Sequence, residues 1–580
     1  MINILLNPKL NNRVYQDDET RELLEKTIKF FENKGKVKCK EDFHERAWYR
    51  DFLDFQKENQ LFYKFLTPPE YGEEGCRWDT YRNCQLNEIL GFYGLGYWYT
   101  WQVSILGLGP IWQSKNEKVK KETARFLKEG EIFGFGLSEK EHGADIYSTS
   151  MKLIPQADGT YKGRGEKYYI GNGNEGAFLS TFARITDNDG NIEEVKDKSN
   201  YTFFVVNSQH ENYECIKNIC ATQNYVSNYA LNDYPITEDD ILSKGQAAWD
   251  ACLNTINIGK FNLGWASIGI CTHALYESLN HAAHRNLFDH YVTDFTHIKQ
   301  LFMDSYIRLL SMKLFGLRGI DYMRSASKDD RRYLLYNPMV KMKVTCEGEK
   351  MMEQLFDIIA AKGFESDTYF EEAIQAIKAL PKLEGTVHVN MALVIKFMPN
   401  FFGMMAPYKE FEEIPKRDDI ANDDFMFDQG ETRGLSKIQF DDFSKAYELY
   451  DTPNVNIFKQ QIEAMREFMT KATPNMKQAD DFDFLLKSGE IFANVVYGKL
   501  ILENAKKYDI EDDLIDQIFD VIIRDFSQSS LGLFASPTAS KKQEEYFMKM
   551  IMKPVKDKKR FNRVLEKYVY ALIDKYEMTP

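Results

Sequence analysis

The stretch 151–174, MKLIPQADGTYKGRGEKYYIGNGN, decides the fold expected for the middle of this 580-residue chain. It contains two short β-rich runs, Met151–Pro155 and Tyr168–Gly171. An Asp-Gly pair at 158–159 lies between them, and an Asn-Gly pair at 172–173 follows the second run. Such pairs favour the tight turns that join antiparallel strands. The stretch therefore predicts a compact antiparallel barrel or sandwich.

The segments on both sides of this β region show helical periodicity. Toward the N-terminus, apolar residues recur every three or four positions over Thr20–Phe31, Phe43–Gln60 and Gln85–Leu106. Toward the C-terminus, the clearest such segments are Trp249–Arg285 and Phe295–Ser325. We expect an α+β protein with an N-terminal α-helical domain, a middle β-barrel or sandwich domain, a C-terminal helical-bundle domain and an additional α-helical domain, at residues 1–131, 132–243, 244–400 and 401–580 respectively.

Composition narrows the classes of function. Acidic residues outnumber basic ones by 88 to 74 and give a net charge of -14, so a polyanion such as duplex nucleic acid would be repelled on average. The eight cysteines are scattered without a C-x-x-C pair, and no segment approaches the roughly 18 uninterrupted apolar residues of a membrane span. We therefore expect a cytoplasmic protein with reduced thiols, no nucleic-acid partner and no transmembrane segment.

Metal chemistry is not expected from the sequence. The nine histidines are not spaced like a metal site, and the chain has no H-E-x-x-H, P-loop or G-x-S-x-G motif. Four histidines do lie near one another, but the acidic residues around them lack the spacing of metal ligands; they are His281, His284, His290 and His297. Helix-surface or hydrogen-bonded core histidines explain them better than a metal.

Three local patterns carry residues suited to chemistry. The first, 135–145 (FGLSEKEHGAD), is a turn whose backbone N–H groups and hydroxyl could reach the rim of a planar heteroaromatic ring, although a plain turn is commoner. The second, 167–174, joins an aromatic strand to bare glycine backbone, and alone it is equally an ordinary hairpin. The third is Glu384 beside Gly385, after the mostly apolar run 374–383. A carboxylate removed from water suits proton abstraction from carbon; the alternative is an acid at a helix start.

Taken in order, these patterns resemble the acyl-CoA dehydrogenase and acyl-CoA oxidase family of flavoproteins. That family has, in sequence, a P-x-x-Y-G-G turn, a T-E-x-x-x-G-S-D loop, a K-x-W-I-T-N-G strand, an arginine-phenylalanine pair and a terminal E-G-T. Over residues 20 to 400 this chain has the matching segments Pro69-Glu70-Tyr71-Gly72, Ser138-Glu139, Lys167-Tyr168-Tyr169-Ile170-Gly171-Asn172-Gly173, Arg285-Asn286-Leu287-Phe288 and Glu384-Gly385-Thr386.

The resemblance implies an FAD-dependent enzyme whose C-terminal helical domain is a four-helix bundle. It implies α,β-dehydrogenation of an acyl-CoA thioester to a trans-2-enoyl-CoA, in which Glu384 removes the α-proton and the β-hydrogen passes as hydride to flavin N5. The flavin contacts that it implies are Leu137, Ser138, Tyr169, Ile170, Gly171, Arg285, Phe288, Thr386 and His388. The substrate contacts that it implies are Ala144, Asn257, Lys260 and Gly385.

Departures from the family pattern mark a divergent member. Gly171 stands in place of a threonine that hydrogen-bonds flavin N5, and Ala144 replaces the serine of the G-S-D sequence. The segment 357–363, DIIAAKG, keeps only the last glycine of the family's Q-x-x-G-G-x-G segment. The adenosine side of FAD recognition is therefore left open.

Partners and electron acceptor follow from the same resemblance. An electron-transferring flavoprotein would reoxidise the flavin of a dehydrogenase, and dioxygen that of an oxidase; we favour a dehydrogenase of fatty-acid β-oxidation. A homodimer is expected, because Arg285 would reach the FAD of the neighbouring subunit and because 401–580 resembles the extension of very-long-chain members. Two other classes stay open: a flavin-binding stress-response relative without acyl-CoA turnover, and a scaffold that binds a partner or membrane through the basic run Lys553–Arg563.

Overall fold

The computed structural model describes residues 4–10, 13–195 and 197–580. Its main sheet lies in the middle of the chain, with helices before and after it, which confirms the predicted α+β class. The chain divides into two compact units. The sheet unit comprises Tyr15–Asn262, Asp418–Arg433 and Thr579–Pro580, and the bundle unit comprises Met1–Val14, Leu263–Arg417 and Gly434–Met578. The four domain boundaries given above stay predictions.

The sheet unit begins with helices. They are α1 (Asp18–Glu45), α2 (Arg50–Glu58), α3 (Leu61–Leu66), α4 (Thr80–Tyr93), α5 (Leu95–Gln113) and α6 (Glu117–Lys128). Two helical segments of the sequence prediction are interrupted. Gln85–Leu106 is divided between α4 and α5 because Gly94 is extended, with φ 172°. Phe43–Gln60 is divided because Arg46 adopts the left-handed conformation, with φ 54°, and ends α1.

Eight strands form the sheet. They are β1 (Phe133–Gly136), β2 (Lys152–Pro155), β3 (Tyr161–Gly171), β4 (Phe178–Ile185), β5 (Tyr201–Val206), β6 (Tyr213–Asn218), β7 (Val226–Ile236) and β8 (Ile241–Lys244). Their order is β6-β7-β3-β2-β4-β5-β8, with β1 parallel beside β4. The described strands do not close into a barrel, so the sandwich form of the prediction is the one that fits. Leu153, Ile170, Leu179, Phe204 and Tyr229 are among the residues of its buried core.

A long helix, α7 (Gln246–His284), crosses the boundary between the two units. In the bundle unit it is followed by the hairpin β9 (Asn286–Leu287) and β10 (His290–Tyr291), and by α8 (Thr296–Arg324), α9 (Tyr333–Met339), the π-helix Val340–Val344, α10 (Thr345–Ile359), α11 (Phe370–Ala379), α12 (Val387–Val394) and α13 (Met398–Phe401). The predicted segments Trp249–Arg285 and Phe295–Ser325 agree with α7 and α8 within a few residues. Helices α8 and α10 pack against each other.

Most of the last third of the chain packs within the bundle unit. Its helices are α14 (Ser444–Glu448), α15 (Pro453–Lys471), α16 (Met476–Asp480), α17 (Phe482–Lys507), α18 (Asp512–Phe534), α19 (Lys541–Met550) and α20 (Lys558–Val564). Helices α17 and α18 cover α8, and ion pairs link these helices. Arg318 of α8 lies 2.8 Å from Glu503 of α17. None of the helices in the described part of the chain combines the length and apolarity needed to cross a membrane.

Candidate active site

The loop after β1 is attached to β3 by a buried ion pair. Lys167 of β3 has no exposed surface, and its Nζ donates to Glu139 Oε1 at 2.7 Å and to the Leu137 carbonyl at 3.0 Å. The backbone N–H of Tyr168 donates to the Ser138 carbonyl at 2.9 Å. Two of the predicted flavin-contact segments, 137–138 and 169–171, are thereby brought together.

The electrostatics of this pair keep the carboxyl group ionised. Burial alone would raise the pKa of Glu139, but the Lys167 ammonium and several hydrogen-bond donors lower it to about 2. Those donors are the side chains of Lys167, Ser150 and Thr149. The backbone N–H groups of Ser150 and Met151 also donate to the carboxylate, at 2.7 and 3.0 Å. Burial lowers the pKa of Lys167, whereas Glu139 opposes that change. The loop is therefore held by a charged pair whose carboxylate also accepts backbone hydrogen bonds.

A β-bulge lies within the predicted flavin strand. The register of β3 against β7 shifts between Tyr168 and Ile170, and Tyr169 adopts the left-handed conformation with φ 66°. As a result the Tyr169 side chain is 59% exposed whereas Ile170 is buried. Bulges of this kind redirect side chains and are frequent beside active sites. The bulge gives the aromatic strand one exposed ring next to the Ser138 loop.

The glycine that replaces the family's threonine has a packing reason. A Cβ atom added to Gly171 would lie 2.6 Å from Cε1 of Tyr99 and 2.6 Å from Cγ1 of Val103, both on α5. Real Cβ atoms essentially never lie that close to a carbon atom, so any larger residue requires the Tyr99 and Val103 side chains to shift. The glycine at position 171 is therefore required by the tyrosine and valine of α5, which fill the space that a side chain would need.

The predicted substrate contacts of the sheet unit occupy two regions. Ala144 is exposed in the loop between β1 and β2, and a Cβ added to the adjacent Gly143 would have no neighbour within 4 Å. Asn257 and Lys260 lie on α7 and are half-buried. The Asn257 amide donates to Gln429 Oε1 at 2.9 Å. Gln429 belongs to a segment far along the chain, and nothing in the sequence pattern singled it out.

The Glu384 turn lies in the bundle unit, between α11 and α12. Glu384 and Gly385 both adopt left-handed backbone conformations, with φ 50° and 85°. Glu384 is half-buried, and its Oε2 atom is buried. The Thr386 hydroxyl caps α12 by accepting from the Val389 N–H at 3.4 Å. His388 lies on the first turn of α12 and is exposed.

Two buried side chains donate hydrogen bonds to the backbone carbonyls of this turn. The sequence analysis assigned no role to either of them. Lys341, on the π-helix, donates from Nζ to the carbonyls of Pro381 at 2.6 Å and Gly385 at 2.5 Å. The Asn390 amide donates to the carbonyls of Gly385 and Thr386, each at 3.0 Å. The signal in the sequence is weak: Lys341 alternates with apolar residues and a second lysine in VKMKV, and Asn390 lies within the mostly apolar α12.

The predicted contacts to a neighbouring subunit lie on and near the small hairpin β9–β10. Arg285 is half-buried, and its Nη1 lies 3.4 Å from Nε2 of His281. Phe288 is 87% exposed and has a left-handed backbone, with φ 54°. The divergent segment 357–363 runs from the end of α10 into a 3-10 turn, followed by Phe364, which is 75% exposed.

No group of three or more His, Cys, Asp or Glu side chains is arranged to hold a metal ion in the described ranges. His281 and Arg285 are neighbours, and His284 lies 3.6 Å from Asp574. Neither contact brings together enough side chains to bind a metal ion.

Comparison with known proteins agrees with the fold and with the resemblance to acyl-CoA dehydrogenases. A family model described as acyl-CoA dehydrogenase, C-terminal domain, matches residues 248–398. The mitochondrial very long-chain specific acyl-CoA dehydrogenase of Bos taurus is 23% identical over 386 residues, which cover 64% of this chain and 57% of that protein. A 3-(aryl)acrylate reductase of Clostridium sporogenes is 21% identical over 344 residues, covering 57% of this chain and 86% of the relative.

A solved structure agrees over nearly the whole chain. The acyl-CoA dehydrogenase of Bacillus anthracis, determined in complex with FAD, superposes with a TM-score of 0.74 at 15% identity, and the match covers 96% of this chain and 95% of that one. The shared fold therefore includes the last third of the chain. The chain therefore has the fold of an acyl-CoA dehydrogenase, and residues 248–398 match the C-terminal domain model of that family.

Proposed function

We propose that this protein is an FAD-dependent oxidoreductase that dehydrogenates an acyl-CoA thioester between its α and β carbons. The observation that carries the proposal is the Glu384 turn, which lies within the segment that matches the family model. There Glu384, whose side chain is half-buried, has an unfavourable left-handed backbone conformation. The carbonyl of the next residue is fixed by two hydrogen bonds, which hold the turn in place. Such strain persists only where the surrounding structure imposes it, and it is concentrated at functional sites.

The chemistry of the sheet unit suits a flavin. The Ser138 hydroxyl makes no hydrogen bond to other described residues, and the exposed ring of Tyr169 lies at the β-bulge next to this loop. In the proposal Leu137, Ser138, Tyr169, Ile170 and Gly171 hold the isoalloxazine ring. Bound FAD would supply the hydride acceptor. Gly171 leaves no side chain to hydrogen-bond the ring, so that contact would come from the backbone.

In the same proposal Glu384 accepts the α-proton of the thioester, while Gly385 and Lys260 are assigned to the substrate. Thr386 and His388 contact the flavin. Removing the α-proton by a fixed carboxylate is worth about 10²–10⁴-fold in rate. Ala144 and Asn257 are assigned to the CoA arm and the acyl group.

We propose a homodimer in which Arg285 and Phe288 reach the cofactor of the second copy. The 87% exposure of Phe288 supports this, because a phenylalanine at the tip of a two-strand hairpin has little to pack against within its own chain. Titration of the apoprotein with FAD, followed by sedimentation, tests the assignment. FAD should bind to a dimer, and a monomer that retains FAD would contradict it.

As electron acceptor we propose an electron-transferring flavoprotein. One relative of this chain, from Acetobacterium woodii, is a caffeyl-CoA reductase subunit of an Etf complex, at 23% identity over 326 residues. That similarity supports a dehydrogenase that uses such a partner. Fatty-acid β-oxidation is the setting that we propose for it. Rapid formation of hydrogen peroxide with an acyl-CoA would instead identify an oxidase.

The experiment that tests the function is an anaerobic titration of the purified yellow protein. A panel of straight-chain, branched and aryl acyl-CoA thioesters is added while the flavin absorbance is followed. At least one thioester should bleach the flavin stoichiometrically, and an enoyl-CoA should appear in equal amount. A protein that binds FAD but is bleached by none of them would be a flavin-binding relative without acyl-CoA turnover.

A further inference from the structure

A completely buried lysine is hydrogen-bonded to the turn that carries the proposed catalytic carboxylate. Lys341 has no exposed surface and sits on the π-helix Val340–Val344, between α9 and α10. A π-turn inserts an extra residue into a helix, which redirects the side chains around it, and such turns are frequent at functional sites. The Lys341 Nζ donates to the carbonyls of Pro381 and Gly385, at 2.6 and 2.5 Å.

These two carbonyls lie on both sides of Glu384 in the chain. One ammonium group thus ties the residue three positions before the carboxylate to the residue directly after it. Because Glu384 has φ 50°, its backbone is in a conformation that L-residues adopt reluctantly, and the turn needs external anchors to remain there. Asn390, also fully buried, supplies a further donor to the Gly385 carbonyl at 3.0 Å.

We propose that Lys341 is the positioning residue for Glu384. It does not touch the reacting atoms; it fixes the turn so that the carboxylate stays at the distance and angle needed for proton abstraction. The inference rests on the proposed function of Glu384. It adds to the proposed site a residue that positions the base and lies on the π-helix, 43 positions earlier in the chain.

The chain contains a matched control two residues away. Lys343 lies on the same π-helix and is also largely buried, but its Nζ donates to Glu347 at 2.8 Å and to Asn494 of α17 at 3.0 Å. Lys343 therefore serves the packing of α10 and α17. Replacing either lysine removes one buried ammonium from the same helical turn, whereas only Lys341 is bonded to carbonyls of the Glu384 turn.

Loss of Lys341 removes the ammonium donor from the buried Pro381 carbonyl and leaves the part-buried Gly385 carbonyl with only the Asn390 donor, which is costly unless the turn moves. A displacement of about 1 Å of a catalytic group can reduce a rate about 10²-fold. The expected effect is therefore on the rate constant of proton abstraction rather than on the binding of flavin or substrate.

The test compares Lys341→Met, Lys341→Gln and Lys343→Met with the wild-type holoenzyme. Anaerobic stopped-flow measurement gives the limiting rate constant for flavin bleaching and the apparent Kd of the thioester that bleaches the wild type. For Lys341→Met we expect the rate constant to fall about 10²-fold, with flavin content and Kd changed less than about threefold. Lys341→Gln keeps one donor group and should fall between. Lys343→Met should lower Tm but leave the rate constant within about threefold.

A second readout does not depend on catalysis. Hydrogen exchange measured by mass spectrometry on the flavin-free proteins should be faster in peptides covering 381–390 of Lys341→Met, and unchanged there in Lys343→Met. Equal rate constants for Lys341→Met and the wild type, or equal losses in Lys341→Met and Lys343→Met, would overturn the inference and leave the proposed function intact. If Lys341→Met does not fold, Lys341→Gln decides between the same outcomes. If no acyl-CoA bleaches the wild type, the proposed function fails and this inference with it.

Discussion

Replacing Lys167 with methionine should detach the Ser138 loop from β3. Lys167 and Glu139 are both buried, so removing the ammonium leaves a carboxylate out of water without its counter-charge. Breaking a buried pair from one side typically costs about 3–5 kcal/mol. The lowering of the Glu139 pKa from 4.5 to about 2 corresponds to about 3 kcal/mol of stabilisation of the ionised form. The burial that lowers the pKa of Lys167 offsets part of this.

We therefore expect Lys167→Met to lower the free energy of unfolding by about 3 kcal/mol, at the lower end of the range for broken pairs, because the N–H groups of Ser150 and Met151 still bind Glu139. The assay is urea unfolding of the flavin-free protein at pH 7. Glu139→Gln and the double variant complete a thermodynamic cycle. The double variant should lose clearly less than the sum of the single variants, since it leaves no unpaired charge.

The pH dependence has a definite sign. The pKa of Glu139 in the folded protein lies below its ordinary value, so its contribution is complete above about pH 4.5 and is lost as the pH falls through about 2. The Lys167→Met variant should show a shallower loss of stability over that interval. A cost below about 1 kcal/mol for Lys167→Met, with additive single variants, would refute the role assigned to the pair.

Three further outcomes are expected. Gly171→Thr places a Cβ atom 2.6 Å from a Tyr99 carbon, so it should lower the free energy of unfolding by about 1–3 kcal/mol and reduce the flavin content. Urea unfolding and flavin absorbance measure the two effects, and unchanged values would show that the side chains of α5 shift at little cost. Gly264→Ala places a Cβ atom 2.7 Å from the carbonyl oxygen of Val340, where the π-helix begins, so it should lower both Tm and the bleaching rate constant. Partial burial raises the pKa of the Cys346 thiol to about 11, so iodoacetamide at pH 7.5 should label it far more slowly than a free cysteine, as measured by mass spectrometry; rapid labelling would contradict the raised pKa.

The sheet was predictable because its signals are local. The Asp-Gly and Asn-Gly pairs at 158–159 and 172–173 mark chain reversals within a few residues, and β2 begins within one residue of the run expected at Met151–Pro155. β3 is longer than expected, beginning at Tyr161 rather than Tyr168. Gly163 and Gly165 obscure the strand pattern there, and they coincide with a shift of register against β7. Propensity therefore underestimates a strand whose neighbours hold it in place.

The candidate site was predictable only where a motif carried it. Ser138, Tyr169 and Glu384 could be singled out because each lies in a short recognisable pattern. The groups that hold these patterns could not. Lys167 meets Glu139 across 28 residues, and Lys341 meets Gly385 across 44, so each contact exists only after the strands and helices have packed. Nor does a glycine such as Gly171 reveal by itself that α5 occupies the missing volume.

The measurement that tests the account most directly is the anaerobic bleaching rate of Glu384→Gln. Glutamine keeps the size of the side chain but cannot accept a proton, so flavin content and acyl-CoA binding should remain while the limiting rate constant falls at least about 10²–10⁴-fold. Glu384→Asp should fall between, because the shortened carboxylate stays basic but lies out of reach. If Glu384→Gln bleaches at the wild-type rate, the base is another residue and the assignment of the turn is wrong.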